Sequence, residues 1–230
     1  MTRSKRYNEN IKQVGEGEML EPTQGLKKIR QFKKAKFDET LDVAVRLGID
    51  FKQADQHIRG SFSLPHGTGK SKKVIVFARG DKAEDARKNG ADEVGAEELV
   101  KKVEGGWMDF DVAIASPDMM GQVGKLGRVL GPQGKMPSPK SGTVTDHIGT
   151  AVKEFKAGKI EFRSDAGGNV HAPIGKLSFS DAQLKENIDA FIEHVRVLKP
   201  ASSKGNFIRS VTLSATMSPG VRLALQEQEE

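Results

Sequence analysis

The strongest constraint on the fold is a change of hydrophobic pattern between the middle of the chain and its two flanks. Residues 73–78 and 111–116 form nearly continuous apolar runs, separated by short segments that end at glycine. Residues 40–47 and 160–163 instead alternate apolar with polar side chains. Continuous apolar strands are typical of a parallel sheet covered on both faces, and alternating strands of a sheet with one face in water. We therefore predict two kinds of sheet in one chain.

The flanks and the middle also predict different series of elements. In the flanks the sequence predicts strands at 40–47, 61–64, 160–163 and 207–217, a short helix at 54–59, and a hairpin returning through 169–171. The longest helix begins at a capping box of Ser180 and Gln183 and ends before Pro200. The middle predicts strands at 73–78, 91–94 and 111–116, helices at 81–89 and 97–104, a helix opening at Pro117, and a helix capped by Asp146 and stopped by Gly158.

This order of elements places one domain inside another, and 230 residues are enough for two cores. We predict an outer α+β domain made of residues 1–67 and 160–230. It is split by a Rossmann-like α/β domain with a parallel sheet at 68–159. We expect residues 1–20 to be flexible.

The charge of the chain is concentrated in its first residues. The sequence has 37 Lys and Arg residues against 31 Asp and Glu residues, a net charge of +6. Residues 1–36 contain ten of those cations and four of the acids, so residues 37–230 carry 27 of each and are neutral. A basic leader on a neutral body indicates an anionic partner.

Several classes of protein are excluded or disfavoured by composition. The absence of cysteine excludes disulfides, thiolate metal sites and thiol nucleophiles. The longest apolar run, 74–78, is far shorter than the ~20 residues that cross a bilayer. The first residues lack the apolar core of a signal peptide, so we expect a cytoplasmic protein. The five histidines show no metal-ligand spacing, and no nucleophile elbow is present, so we expect no metal, no cofactor and no catalytic residue.

Two segments resemble nucleotide-binding motifs without completing them. Residues 67–71 (GTGKS) end like a phosphate loop, but Leu64 stands where the first glycine is required and a strand follows instead of a helix. The first turn of the predicted parallel sheet, residues 79–81 (RGD), lacks the dinucleotide fingerprint. Because neither motif is complete, we keep a nucleotide-utilising enzyme of Rossmann-like type only as the alternative function.

A glycine-rich basic stretch, residues 119–142, is more informative. It contains Lys125, Arg128, Lys135 and Lys140 and no acidic residue. Spaced cations and backbone N–H groups freed by glycine suit contact with a phosphate backbone. The simpler interpretation is a solvated loop. We predict a secondary contact with RNA or tRNA through these four cations.

Eight segments together resemble one known family. They are 36–40 (KFDET), 64–70 (LPHGTGK), 105–111 (GGWMDFD), 116–120 (SPDMM), 131–137 (GPQGKMP), 156–163 (KAGKIEFR), 171–175 (HAPIG) and 210–217 (SVTLSATM). The chain resembles bacterial large-subunit ribosomal protein one, the protein of the mobile ribosomal stalk, over residues 36–222. The resemblance implies a split α+β outer domain with a Rossmann-like insertion, and no enzymatic activity. It also implies direct binding of large-subunit ribosomal RNA, movement of deacylated tRNA from the exit site, and repression of the protein's own operon messenger.

The resemblance also implies where RNA binds. It places Lys36, Phe37, Thr40, Ser210, Thr216 and Met217 on the RNA-binding surface, with Arg163 and His171 as neighbours. We also assign Ser218 to the RNA-binding set, although most family members have glycine there, and residues 27–34 are unusually basic for the family. The expected partners are large-subunit ribosomal RNA, exit-site tRNA, the operon messenger and the ribosome, without a membrane. We expect a monomer when free and a ribosome-bound, cytoplasmic protein.

Overall fold

The computed structural model describes residues 3–15 and 17–224. These residues form two compact units. The outer unit consists of two segments, one ending at Gly69 and one beginning at Phe162, and the inserted unit is Lys70–Glu161. The predicted fold class, α+β interrupted by α/β, is confirmed.

The described residues form the following helices and strands. The helices are α1 (Lys5–Lys12), α2 (Pro22–Gln31), α3 (Asp81–Lys88), α4 (Glu97–Glu104), α5 (Met120–Val123), α6 (Gly127–Leu130), α7 (Ile148–Lys156) and α8 (Asp181–Val197). The strands are β1 (Met19–Leu20), β2 (Thr40–Leu47), β3 (Arg59–Ser63), β4 (Val74–Phe77), β5 (Glu93–Gly95), β6 (Val112–Ala115), β7 (Lys159–Arg163), β8 (Asn169–Lys176), β9 (Ile208–Ala215) and β10 (Val221–Leu223).

The outer unit is built on a five-stranded sheet in the order β1-β10-β9-β2-β8. Its fourth strand, β2, has the predicted bounds and pairs antiparallel with both β9 and β8. Leu41, Val43 and Val45 are fully buried because alternate residues of a strand point to the same face. Helices α2 and α8 pack against strands of this sheet and against each other. One face of the sheet therefore forms the core of the outer unit.

Helix α8 begins and ends as its sequence predicts. Ser180 accepts a hydrogen bond from the N–H of Gln183, whose side chain accepts one from the N–H of Ser180, and this completes the capping box. Its apolar stripe is fully buried and consists of Leu184, Ile188, Phe191 and Val195. The helix ends at Val197, before Pro200.

The predicted hairpin between β7 and β8 is wrong. Strand β7 pairs with β3, whereas β8 pairs with β2 as an edge strand of the large sheet. Only a turn and an isolated bridge between Ser164 and Val170 join the two strands, and the Asp165 carboxylate accepts the N–H groups of Gly167 and Asn169 in that turn. Strand β8 joins the large sheet because its alternate residues Val170, Ala172 and Ile174 complete the buried face.

The inserted unit is a doubly wound parallel sheet in the order β5-β4-β6, as its continuous apolar strands predict. One face packs on α3 and α7, with Ile148, Val152 and Phe155 buried there. The other face packs on α4 and the short helices α5 and α6. Asp146 does not cap α7 as predicted, because its carboxylate pairs with Lys82 and the N-cap position is His147.

The first part of the chain contains elements that the sequence analysis did not predict. Helix α1 falls within the leader expected to be flexible, and two contacts account for it. Ser4 accepts a hydrogen bond from the N–H of Tyr7, and buried Asn10 exchanges two hydrogen bonds with the backbone of Lys33. The expectation of a flexible leader therefore needs correction for residues 5–12.

Helix α2 was missed because a glycine lies in its middle. Gly25 is buried, and a Cβ at this position would lie 2.8 Å from a methyl carbon of Leu223. The glycine thus allows α2 to approach β10 closely, and this packing offsets the low helix propensity of glycine.

Candidate nucleic-acid interface

The sheet face opposite the core of the outer unit carries small and polar side chains in register. Thr212 lies opposite Ala44, which pairs on its other side with His171. The predicted contact Ser210 lies opposite Arg46 in the adjacent row. These residues are half-buried or exposed, since they alternate with core positions. We call this surface the open sheet face.

Two of the predicted residues meet where β2 begins and β9 ends. The N–H of Thr40 donates to Oγ1 of Thr216 at 3.0 Å, and the N–H of Thr216 donates to the carbonyl of Thr40 at 3.0 Å. The Thr216 hydroxyl lies 3.3 Å from the same carbonyl and donates to it. Thr216 is therefore placed on the predicted surface, but its hydroxyl already has partners inside the protein.

Lys36, Phe37 and Met217 are exposed at this strand end. The relative exposures of Phe37 and Met217 are 53% and 50%, which is high for large apolar residues. Lys36 has no ion pair among the contacts described for residues 3–15 and 17–224. We call Lys36, Phe37, Thr40, Thr216 and Met217 the strand-end surface.

Sequence reasoning missed the acid that holds this surface together. Glu39 is 4% exposed, and its two carboxylate oxygens accept the N–H groups of Ala35 at 2.7 Å and Met217 at 3.1 Å. The only sequence signal was its position inside the family-like segment 36–40. In a sequence, an acidic residue beside basic and apolar residues is normally interpreted as a solvated charge, so the burial of Glu39 could not be inferred.

Ser218 closes a turn instead of presenting its hydroxyl to solvent. Its Oγ accepts the N–H of Ala215 at 2.9 Å, and its hydroxyl lies 3.2 Å from the Pro219 carbonyl. No residue other than glycine has a positive φ in the part of the chain that the structure describes, so Ser218 is not strained. The turn therefore tolerates serine without backbone cost.

The remaining predicted residues are distributed along the unit. Ser210 is in β9 and lies six residues before Thr216, which directly follows the strand, so the two are about 20 Å apart at ~3.4 Å per residue. Arg163 is exposed at the end of β7, in the separate two-stranded sheet. His171 is exposed on the open sheet face, 3.7 Å from the Asp165 carboxylate. The predicted set is thus an elongated surface and not a pocket.

The open sheet face also contains charged residues that were not predicted. Arg46 and Arg222 are exposed on it, and half-buried Asp42 lies on the same face of β2 as Arg46. Burial raises the pKa of the Asp42 carboxyl, while the charges of His171 and Lys176 act in the opposite direction. The alternation of residues 40–47 was the signal for these positions, because it assigns Asp42 and Arg46 to the face of Thr40.

The basic stretch of the inserted unit is only partly available for a ligand. Lys125 and Arg128 are exposed on short helical turns anchored by buried Leu126 and Leu130, and Lys140 is exposed on the turn Pro139–Ser141. Lys135 is half-buried, and its Nζ donates to the carbonyls of Phe110 and Met108. The prediction that Lys135 contacts RNA or tRNA is therefore not supported by its environment. The stretch is also more ordered than a solvated loop.

Residues 3–15 and 17–224 do not form a phosphate loop, a metal site or a membrane-spanning helix. Residues 67–71 lead into β4 and not into a helix, so the phosphate-loop geometry is missing there. Within residues 3–15 and 17–224, no group of three or more His, Asp or Glu residues is arranged to hold a metal ion. No helix among these residues is long and apolar enough to cross a membrane.

Comparison with known proteins gives two findings. The family described as Ribosomal protein L1p/L10e matches residues 29–219. The chain is also 54% identical over 223 residues to the large ribosomal subunit protein uL1 of Nocardioides sp. (strain ATCC BAA-499 / JS614), covering 97% of this chain and 93% of that protein. The family match covers the inserted unit, the strand-end surface and the residues of the open sheet face on β2, β8 and β9.

Proposed function

The chain belongs to the ribosomal protein L1p/L10e family, and from that premise we propose that it binds large-subunit ribosomal RNA directly through the strand-end surface and the open sheet face. As a member of this family it is a structural protein of the large ribosomal subunit and not an enzyme. The Rossmann-like enzyme considered from the sequence is thereby excluded.

One observation carries the proposal. The segments 36–40 and 210–218 are far apart in sequence, yet β2 and β9 pair so that Thr40 and Thr216 exchange hydrogen bonds. Exposed Phe37, Met217 and Lys36 lie on these same two segments. A continuous surface with two apolar groups, a cation and small polar residues suits a folded RNA.

The chemistry of the open sheet face supports the same partner. Folded RNA is recognised through its shape, its 2′-hydroxyls and its phosphates. Small residues such as Ser210 and Thr212 allow the RNA backbone to approach, and Arg46 supplies a phosphate contact. The Asp42 carboxyl offers an acceptor for a 2′-hydroxyl. The exposed aromatic ring of Phe37 provides a surface on which an unpaired base can stack, and Met217 extends it as an apolar contact.

Two finer functions follow from the family resemblance. We propose that the protein assists the movement of deacylated tRNA from the exit site, with exposed Lys125, Arg128 and Lys140 of the inserted unit as candidate contacts. We also propose that it represses its own operon by binding the messenger with the surface that binds ribosomal RNA. We expect both functions in the cytoplasm, with tRNA movement on the ribosome and repression on the operon messenger.

Crosslinking the purified protein to total cellular RNA and sequencing the retained fragments tests the proposal. We expect one stem-loop region of the large-subunit ribosomal RNA to be enriched, and the operon messenger to compete with it. Retention of unrelated RNA without enrichment would contradict the proposal.

Paired variants assign the surface. Phe37→Ala should weaken binding of the stem-loop about tenfold, because a stacked base is worth ~1–3 kcal/mol. The matched control is Val197→Ala, which truncates another exposed apolar residue (75% exposed) at the end of α8. Lys36→Gln should reduce the slope of log affinity against log salt concentration by ~0.7–0.9 in magnitude, as expected for one lost phosphate contact. The control Lys88→Gln changes an exposed residue of α3 and should leave this slope unchanged.

A further inference from the structure

A buried carboxylate joins three segments of the outer unit at the strand-end surface. Oε1 of Glu39 accepts the N–H of Ala35, and Oε2 accepts the N–H of Met217. The Glu39 carbonyl accepts the N–H of Leu177, which follows β8. Thus one residue bonds the loop before β2, the turn after β9 and the end of β8.

From these contacts we propose that Glu39 is a positioning residue for RNA binding, which holds Phe37 and Met217 in one preformed apolar surface. The inference rests on the proposed function. A carboxylate has two equivalent acceptor oxygens, so it can hold two N–H donors at a fixed spacing. Within the described part of the chain, no Lys, Arg or His forms an ion pair with Glu39, so the two backbone N–H groups are the partners of its carboxylate oxygens.

The placement of these bonds gives Glu39 a specific effect on the surface. Ala35 lies two residues before Phe37, and Met217 is itself the donor, so both exposed side chains are tied to the same carboxylate. Without it, the loop that carries Phe37 would lose its link to Met217, whereas Thr216 would still be held by Thr40. Rigid presentation lowers the conformational entropy lost on binding, which favours a structured RNA over a nonspecific one.

The hydrogen bonds also limit what the RNA can touch. Since the Met217 N–H donates to Glu39, RNA can meet only the carbonyl and the thioether side chain of Met217. The Thr216 hydroxyl is likewise engaged with Thr40. The strand-end surface therefore offers RNA an apolar contact more than a set of hydrogen-bond donors.

Glu39→Gln tests the inference with little change in shape. The amide has one acceptor oxygen, so one of the two N–H donors must face an NH₂ group. We expect affinity for a transcript of the stalk stem-loop to fall roughly tenfold, with the affinity for an unrelated RNA duplex and the salt slope unchanged. Binding is measured well below the melting temperature of each variant.

The matched control is Asp92→Asn in the inserted unit. The Asp92 carboxylate accepts the N–H of Val74 at 2.8 Å and pairs with Lys156 at 3.3 Å, so the substitution weakens a carboxylate–backbone bond and removes an ion pair. It should lower stability without changing the ratio of stem-loop to duplex affinity. A Glu39→Gln variant that loses stability but keeps this ratio would show a merely structural role and overturn the inference.

Two further measurements keep the test decisive. Glu39→Asp retains the charge but shortens the side chain, and it should lose specificity for the stem-loop as Glu39→Gln does. If neither variant folds, amide hydrogen exchange in the unaltered protein should show Ala35 and Met217 protected before RNA is added, and exchange of either at the rate of a solvated amide would overturn the inference. Failure of the unaltered protein to prefer the stem-loop over the duplex would instead overturn the proposed function.

Discussion

Replacing Thr216 with valine separates a structural role of its hydroxyl from a direct contact with RNA. The family resemblance placed this residue on the RNA-binding surface. In the structure, its Oγ1 accepts the N–H of Thr40 at 3.0 Å and its hydroxyl donates to the Thr40 carbonyl at 3.3 Å. Valine keeps the β-branched shape that suits a strand end and removes only these two bonds.

The expected change in the free energy of unfolding follows from the hydrogen bonds that the carbonyl and the N–H of Thr40 lose. The Thr40 carbonyl keeps the N–H of Thr216 as a donor, so little is lost there. The Thr40 N–H loses its side-chain acceptor at a half-exposed position, where water compensates in part. A net hydrogen bond is worth about 0.5–1.5 kcal/mol, so we expect the free energy of unfolding to fall by about 1 kcal/mol. For a chain of this size that lowers the melting temperature by roughly 2–4 °C.

Thermal unfolding of Thr216→Val and Thr212→Val provides the comparison. Thr212 is also on the open sheet face of β9, and its hydroxyl has no hydrogen bond to another residue within 3–15 and 17–224. Thr212→Val should leave the melting temperature almost unchanged. The reasoning is refuted if Thr216→Val unfolds like Thr212→Val while its affinity for the stem-loop drops tenfold, because the hydroxyl would then act on RNA and not on Thr40.

Three other outcomes are expected. Ser218→Gly should lower the free energy of unfolding by about 1 kcal/mol, since the Ala215 N–H loses its acceptor, and denaturant unfolding measures this. Affinity for the stem-loop should fall with salt at a log–log slope of roughly −3 to −6 in filter-binding titrations, and a flat response would count against phosphate contacts. His194 stacks on Phe62 at 4.5 Å between ring centroids, and burial lowers its pKa. Its neutral form therefore contributes stability above a pH of about 6.5 that is lost on acidification, and the melting temperature of His194→Phe should fall less between pH ~7.5 and ~5.5.

The parts of the fold that follow from local periodicity were predictable. Residues 40–47 alternate strictly, and β2 has those bounds. The parallel sheet, α4 and the capping box of α8 also follow directly from patterns of a few residues. Strand pairing is less local, since it depends on which neighbour offers a buried face. The hairpin prediction is wrong for this reason: β8 pairs with β2 and not with β7.

Helices α1 and α2 could not be predicted because distant residues stabilise them. Asn10 is useful in α1 only because the backbone of Lys33 is present to bond with it. Gly25 is acceptable in α2 only because Leu223 packs where a side chain would lie. Neither partner is near in sequence, so composition and capping signals were too weak to define these helices.

The candidate site shows the same division between what a residue type allows and what its surroundings leave available. Family-like segments correctly suggested exposed positions such as Phe37 and Met217. They could not reveal that Lys135 already bonds two backbone carbonyls or that the Thr216 hydroxyl is occupied by Thr40. A polar side chain can bind a ligand only through donors and acceptors that are not already bonded within the protein. Which of them stay unbonded depends on contacts with residues distant in sequence. Here those contacts leave two apolar groups and one cation, Lys36, at the strand-end surface. We therefore expect RNA to be held there by stacking and charge, with hydroxyl contacts confined to the open sheet face.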